Sequence, residues 1–116
     1  DKEIAARKIL AENYANNLQT DNITLPEINS ESNYAFYPIC LNKRQTLVEK
    51  LTQAGVQMKI PFDRPLHLEE AFSFMHYAAG DFPVSEKLAD ELLLLPLNAY
   101  LTAEEQNQII TLLMQA

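Results

Sequence analysis

The side chains that could do chemistry in this chain are few, and the most unusual group of them stands in one short segment. Two prolines stiffen this segment, which also holds an aspartate, an arginine and a histidine: Pro61, Asp63, Arg64, Pro65 and His67. Rigid segments that follow a strand are common binding surfaces. The segment is therefore a candidate binding site, although Asp63 and Arg64 would equally fit an exposed ion pair, which contributes little to stability.

The other reactive side chains fit structural roles better than catalysis. His67, His76 and Cys40 lack the spacing of about four ligands that a zinc site needs, so we expect no metal site, and no cation flanks Cys40 to lower its pKa. Lys59 fits an exposed strand position better than a desolvated Schiff-base lysine. Neighbouring helical residues point about 100° apart, so three adjacent acidic pairs are not acid–base couples: Glu69-Glu70, Asp90-Glu91 and Glu104-Glu105.

Composition limits the classes of protein and of partner. The chain has 116 residues, of which 47% are hydrophobic, one cysteine and a formal net charge of −7. This length predicts one globular domain. The negative charge argues against a nucleic-acid backbone or an anionic membrane as the main partner. The longest apolar run, Leu92 to Leu97, is too short to span a bilayer, and no secretory signal is visible, so we expect a cytoplasmic protein.

The first third of the chain predicts a helix, a loop and a strand. Apolar residues spaced by three or four positions predict an amphipathic helix over residues 2–19, and the polar stretch 20–33 predicts a loop. Residues 34–41 are apolar and aromatic, which favours a buried strand. We expect Pro38 at an edge or a bulge, because proline cannot donate to a ladder.

A second helix and a second strand follow. Asn42, with Gln45 three residues later, predicts a helix cap, and Gly55 supplies the left-handed residue that ends the helix. Alternation over residues 56–60 predicts a strand, and the two prolines after it predict an irregular stretch over residues 61–65.

The last third predicts three helical stretches and one strand. A short helix is expected over residues 69–75, and Pro83 marks the first turn of another. This helix carries an apolar stripe (Val84, Leu88, Leu92 and Leu95), and the stretch at residues 93–96 passes directly into a short strand. Thr102 and Glu105 form a capping box for the final helix. The order predicts an α/β fold of the α+β type, with a small, largely antiparallel three-stranded sheet packed with helices.

Four pieces of the sequence, in this order and spacing, resemble one protein family. They are residues 65–72 (PLHLEEAF), 80–88 (GDFPVSEKL), 93–97 (LLLPL) and 101–106 (LTAEEQ). The chain is similar over nearly its whole length to the C-terminal part of the DegT/DnrJ/StrS family of pyridoxal-phosphate-dependent (PLP-dependent) nucleotide-sugar aminotransferases. The resemblance implies one domain over residues 1–116, the small domain of a fold-type I aminotransferase, made of a crossover helix (1–19), a loop (20–33) and a sheet-and-helix core (34–116).

The resemblance also implies a reaction and a division of labour within the enzyme. In this family a ketosugar carried on a nucleotide accepts an amino group, usually from glutamate, through the PLP cofactor. The Schiff-base lysine and most cofactor contacts lie in the large domain. The resemblance therefore implies that PLP is bound mainly by a segment outside this chain, that this chain alone is inactive, and that the full-length enzyme is a homodimer. A start without Met agrees with a fragment of such an enzyme.

The resemblance assigns candidate substrate-binding roles to three residues of the proline-containing segment. Members of the family often carry His-Tyr facing the hexose, where this chain has Pro61 and Phe62. Phe62 would therefore offer a sugar only an apolar surface. Arg64 stands at a commonly apolar position and would supply an anion contact. His67 keeps its place in the motif and would either fix the segment or face the substrate.

A second hypothesis is a stand-alone, non-catalytic aminotransferase-like interaction domain. A large domain with a cofactor lysine upstream in the same gene would support the enzyme, whereas a start codon next to Asp1 would support the interaction domain. A domain that belongs to a larger enzyme should also expose an apolar surface where the other domain packs.

Overall fold

The structure is a computed structural model that describes residues 1–29 and 31–115. Four helices and three short strands follow one another along this part of the chain, with two 3₁₀ segments between them. They are α1 (Lys2–Asn17), β1 (Ile23–Thr24), β2 (Tyr37–Leu41), α2 (Arg44–Gln53), the 3₁₀ segments Leu66–Leu68 and Glu70–Met75, α3 (Pro83–Glu91), β3 (Leu92–Leu95) and α4 (Ala103–Met114).

The strands form one antiparallel sheet in the order β1-β2-β3, which confirms the predicted fold class. Pro38 lies in the middle strand, opposite Leu94, and not in an edge strand. Leu94 exchanges both of its backbone hydrogen bonds with Lys59 on its other side, so Pro38 and Leu94 form a non-hydrogen-bonded pair. The strand β1 pairs only with Cys40 and Leu41. The missing N–H of Pro38 therefore costs no ladder bond within the described sheet.

Two sequence predictions about strands are wrong. The predicted loop 20–33 contains β1, whose two residues pair with the end of β2. The predicted strand 56–60 is reduced to a single bridge between Lys59 and Leu94. The backbone N–H of Val56 is already used to close α2 by bonding to Leu51, and Pro61 ends the stretch, so too few residues remain for a ladder.

Helix ends follow local backbone chemistry, with one exception. Thr102 and Glu105 form the predicted capping box of α4, Pro83 opens α3, and Gly55 has a φ of 78° just after α2. The predicted cap of α2 at Asn42 is wrong. The capping residue is Lys43, which adopts a left-handed conformation and makes no side-chain cap bond.

The core lies where α1, α2 and α4 pack on the sheet. Aromatic and polar contacts of α1 connect it to later parts of the chain. The rings of Tyr14 and Tyr37 stack at 4.9 Å, and the hydroxyl of Tyr14 donates to the carbonyl of Pro96 at 2.8 Å. Gln106 is fully buried, donates to the carbonyl of Leu10 at 2.6 Å and accepts from Asn13 at 2.7 Å. These bonds hold α1 against α4.

Residues 61–88, called here the open segment, extend away from this core. None of these residues is buried as a whole residue, although the side chain of His67 is only 7% exposed. The helix α3 continues beyond this segment, and its one buried residue is Ala89. The apolar stripe predicted for α3 is not covered at its beginning, where Val84 is 72% exposed and Leu88 is 41% exposed. The end of α3 is fixed to the core by Arg44, which donates to the carbonyls of Ala89 and Leu92 at 2.6 and 2.9 Å.

Candidate functional site

An apolar pocket of about 470 Å³ lies between residues 62–82 of the open segment and α3. Two of its lining residues have polar side chains in addition to a tyrosine hydroxyl, and the remainder are apolar. The lining residues are Phe62, Pro65, Leu66, His67, Phe72, Met75, Tyr77, Phe82, Ser85, Leu88, Ala89 and Leu92. A wider groove of about 700 Å³ runs along β3 and contains none of the three candidate site residues. The smaller pocket is therefore the candidate site.

The structure brings two of the three sequence-predicted site residues into this pocket. Phe62 is half exposed at its rim, and the side chain of His67 is only 7% exposed. Arg64 is exposed and is not among the lining residues. The anion contact expected of Arg64 would therefore lie outside the pocket.

Three aromatic rings, those of His67, Tyr77 and Phe82, form one wall of the pocket. This wall was not predicted from the sequence. The ring of Phe82 meets the ring of His67 edge-on at 4.8 Å and the ring of Tyr77 edge-on at 4.9 Å. Edge-to-face packing at such distances is the favoured geometry for aromatic pairs. The signal in the sequence is the pair of aromatic residues that flank Gly80, Tyr77 and Phe82, whereas Pro83 predicts only the start of a helix.

The pocket can bind and orient a ligand, but no lysine, cysteine or carboxylate side chain lines it. Its ionisable lining residues are His67 and Tyr77. In residues 1–29 and 31–115, no group of three or more His, Cys, Asp and Glu side chains is placed to hold a metal ion. Apolar walls with a few polar groups are typical of sites that select a ligand by shape.

Burial shifts the pKa of three residues outside the pocket, Tyr14, Tyr37 and Cys40. Burial is the main cause that raises the pKa of Tyr37 to about 12, and it also raises the pKa of Tyr14. Burial raises the pKa of the half-buried Cys40 thiol, with a smaller contribution from the nearby Glu91 carboxylate. A thiol with a raised pKa is a poor nucleophile, which agrees with a structural role for Cys40.

Comparison with known proteins shows the family. Residues 1–114 match the model of the DegT/DnrJ/EryC1/StrS aminotransferase family. The chain belongs to this family. The match covers nearly all of the sequence, and it confirms the resemblance carried by the four motifs.

Two curated relatives illustrate the range of the family. The erythromycin biosynthesis sensory transduction protein EryC1 of Saccharopolyspora erythraea is 36% identical over 112 residues, which are 94% of this chain and 31% of that protein. The UDP-2-acetamido-2-deoxy-3-oxo-D-glucuronate aminotransferase of Pseudomonas aeruginosa is 30% identical, over 87% of this chain and 28% of that protein. The chain thus spans about a third of the length of the curated relatives it matches.

Solved structures of family members have the same fold. A DegT DnrJ EryC1 StrS aminotransferase from Brucella abortus is 34% identical with a TM-score of 0.84, over 97% of this chain and 31% of that one. NtdA from Bacillus subtilis, solved with bound cofactor PMP, is 26% identical with a TM-score of 0.84, over 97% and 28%. Within the described residues, no helix is long and apolar enough to cross a membrane.

Proposed function

We propose that this chain is the C-terminal, small domain of a PLP-dependent aminotransferase that transfers an amino group to a nucleotide-linked ketosugar. Family membership over residues 1–114 is the observation that carries the proposal. One relative acts on a UDP-linked oxo sugar, as its name states. Glutamate as the amino donor and a homodimeric full-length enzyme are parts of the same proposal, because the resemblance implies both.

The exposed apolar surface of the open segment supports a role as part of a larger enzyme. Nine large apolar side chains are exposed there: Phe62, Leu66, Phe72, Phe74, Met75, Tyr77, Phe82, Val84 and Leu88. Soluble monomers rarely expose so many neighbouring apolar groups unless the surface is an interface or a binding site. The relatives are about three times as long as this chain, so we assign part of this surface to packing against the remaining two thirds of such a polypeptide.

The pocket does not fit the PLP cofactor by itself. A PLP site needs a lysine for the Schiff base and several donors for the phosphate, whereas the pocket offers neither a lysine nor a basic side chain apart from His67. The homologue NtdA binds PMP. We therefore propose that PLP is held mainly by the large domain, and we derive no step of the reaction through this chain.

We propose Phe62 and His67 as the residues of this chain that contact the substrate, with Arg64 as an outer anion contact. Aromatic rings and an imidazole around an apolar pocket can pack against the C–H face of a hexose and offer it one hydrogen bond. Arg64 is exposed beside the pocket, where its guanidinium could meet the diphosphate of a nucleotide sugar.

The test uses the full-length protein that contains this chain. Titration with PLP should produce the absorbance of a bound cofactor, and the loaded enzyme should convert glutamate to 2-oxoglutarate in the presence of a suitable nucleotide ketosugar. A panel of dTDP- and UDP-linked 3-keto and 4-keto hexoses identifies the acceptor. The matched control is the full-length protein in which the cofactor lysine is replaced.

Two outcomes would contradict the proposal. If the gene encodes no large domain upstream of Asp1, the chain is the stand-alone interaction domain of the second hypothesis. If the full-length protein binds PLP but aminates none of the nucleotide ketosugars, the fold assignment survives and the assigned substrate class is wrong.

A further inference from the structure

Glu86 joins two turns of the chain that border the pocket. Its carboxylate accepts two hydrogen bonds from the backbone N–H of Gly80, at 2.7 Å to Oε1 and 3.1 Å to Oε2. Oε2 also lies 3.8 Å from Nε2 of His67. Because His67 belongs to the 3₁₀ segment Leu66–Leu68, a single side chain connects this segment to the turn that precedes α3.

The imidazole of His67 faces this carboxylate from a buried position. Its side chain is 7% exposed, and Nε2 is buried with no hydrogen-bond partner among the described residues. A buried polar atom without a partner costs free energy. The Glu86 carboxylate lies next to Nε2, and the ring of Phe82 packs against the same imidazole with a centroid separation of 4.8 Å.

The turn held by Glu86 carries the aromatic wall of the pocket. Gly80 has a φ of 94°, a conformation that residues with a side chain rarely adopt. The Asp81 carboxylate accepts from the N–H of Ala78 at 2.7 Å, so two carboxylates fix the backbone of the turn. Phe82 follows directly, and its ring contacts both His67 and Tyr77.

We propose that Glu86 is a positioning residue for the substrate pocket, a role that rests on the proposed function. It does not line the pocket and acts through the two groups that it holds. One is the imidazole of His67 and the other is the Gly80 turn that sets the position of Phe82. Without the carboxylate, neither His67 nor the Gly80 turn is held by Glu86, so the distance between His67 and Phe82 in the pocket wall is no longer fixed.

The kinetic test uses the full-length, PLP-loaded enzyme. Glu86→Ala should raise the KM for the nucleotide ketosugar about tenfold, the loss expected for hydrogen bonds to a charged group. The kcat and the KM for glutamate should change by less than about twofold, because the cofactor contacts are untouched. Glu86→Gln keeps an oxygen for the Gly80 N–H but loses the charge facing His67, so its ketosugar KM should rise by about threefold.

A matched control and a second readout separate positioning from a general loss of structure. Asp90→Asn removes one negative charge from an exposed position of the same helix and should leave all kinetic constants unchanged. Hydrogen–deuterium exchange of peptides over residues 77–83 should be about tenfold faster at Gly80 in Glu86→Ala, and unchanged in Asp90→Asn. This readout needs no activity.

The outcomes decide the proposal in each case. Equal ketosugar KM values in Glu86→Ala, Asp90→Asn and the wild type would overturn it, as would unchanged exchange at Gly80. If Glu86→Ala does not fold, Glu86→Gln carries the test with the same two readouts. If the wild-type enzyme aminates no nucleotide ketosugar, the proposed function fails, and exchange at Gly80 alone decides whether Glu86 fixes the turn.

Discussion

The core and the open segment use similar apolar side chains in opposite ways. Within the core, Leu51 and Leu93 are completely buried, whereas nine large apolar side chains are exposed in residues 61–88. The radius of gyration is 15.7 Å, compared with about 13 Å for a compact domain of about 100 residues. The core therefore buries its apolar side chains to stabilise the fold, whereas the open segment leaves its apolar side chains accessible for contacts with other groups.

Identical substitutions in the two regions should differ most in their effect on stability. Leu93→Ala in β3 should lower the free energy of unfolding by about 3 kcal/mol, because it leaves a cavity among buried residues. Leu66→Ala in the open segment, where the side chain is 60% exposed, should change it by less than about 0.5 kcal/mol. Urea unfolding measures both. Equal losses would show that the open segment is part of the cooperative core.

The polar link between the two ends of the chain should give the next largest effect. Gln106→Ala leaves the carbonyl of Leu10 without its buried partner, and should lower the free energy of unfolding by about 2 kcal/mol. Gln108→Ala, at an exposed position of the same helix, is the matched control, with an expected change below about 0.5 kcal/mol. A loss at Gln106 no larger than this control would mean that solvent replaces the link.

The stacked tyrosines should respond differently to loss of their hydroxyls. Tyr14→Phe removes a hydrogen bond to the carbonyl of Pro96 and should lower the free energy of unfolding by about 1 kcal/mol. The hydroxyl of Tyr37 is buried without a hydrogen-bond partner among the described residues, so Tyr37→Phe should be neutral or stabilising. Denaturation of both variants under one set of conditions measures the difference, and the reverse order would contradict the assigned partners.

Substrate preference should be affected only at the pocket of the open segment. In the full-length enzyme, Phe62→Tyr adds a hydroxyl at the rim and should change the ratio of kcat/KM values for two nucleotide ketosugars by about threefold. Phe74→Tyr makes the same change on an exposed ring that does not line the pocket and should leave the ratio unchanged. An unchanged ratio in both variants would remove Phe62 from the proposed substrate contacts.

The smallest effect should come from the capping box of α4. Two hydrogen bonds with Thr102 lower the pKa of the Glu105 carboxyl, so its stabilising effect is present above the unfolded pKa of about 4.3 and is lost as the pH falls through the lower folded pKa. Glu105→Gln should therefore be slightly less stable than the wild type at pH 7, and this gap should close in acid. Denaturation series at several pH values measure this gap, and Glu104→Gln, next to the capping box, is the matched control for loss of one carboxylate.

Local chemistry decided which parts of the fold could be predicted from the sequence. The capping box at Thr102, the proline that opens α3 and the glycine after α2 act within one turn, so their signals were sufficient. The two-residue strand β1 exists only because the end of β2 lies beside it. The stripe that begins at Val84 has helical spacing, but the spacing does not say what covers it.

The candidate site was predictable only where a residue stood in a recognisable motif. Phe62 and His67 were placed by the resemblance, and both line the pocket. Phe82 and Glu86 were missed, because their roles arise from a turn that folds back towards His67. Arg64 stands in the same motif, but its side chain is exposed and does not line the pocket.

The contacts of Gln106 with Leu10 and Asn13 bear on how members of this family can be recombined. The first and last helices of this chain share a buried amide, so they form a matched pair although Leu10 and Gln106 are 96 positions apart in the sequence. A chimera that takes its small domain from one parent must inherit both helices from that parent. A junction placed between them would keep a backbone carbonyl at position 10 but would separate Gln106 from the Asn13 side chain that donates to it.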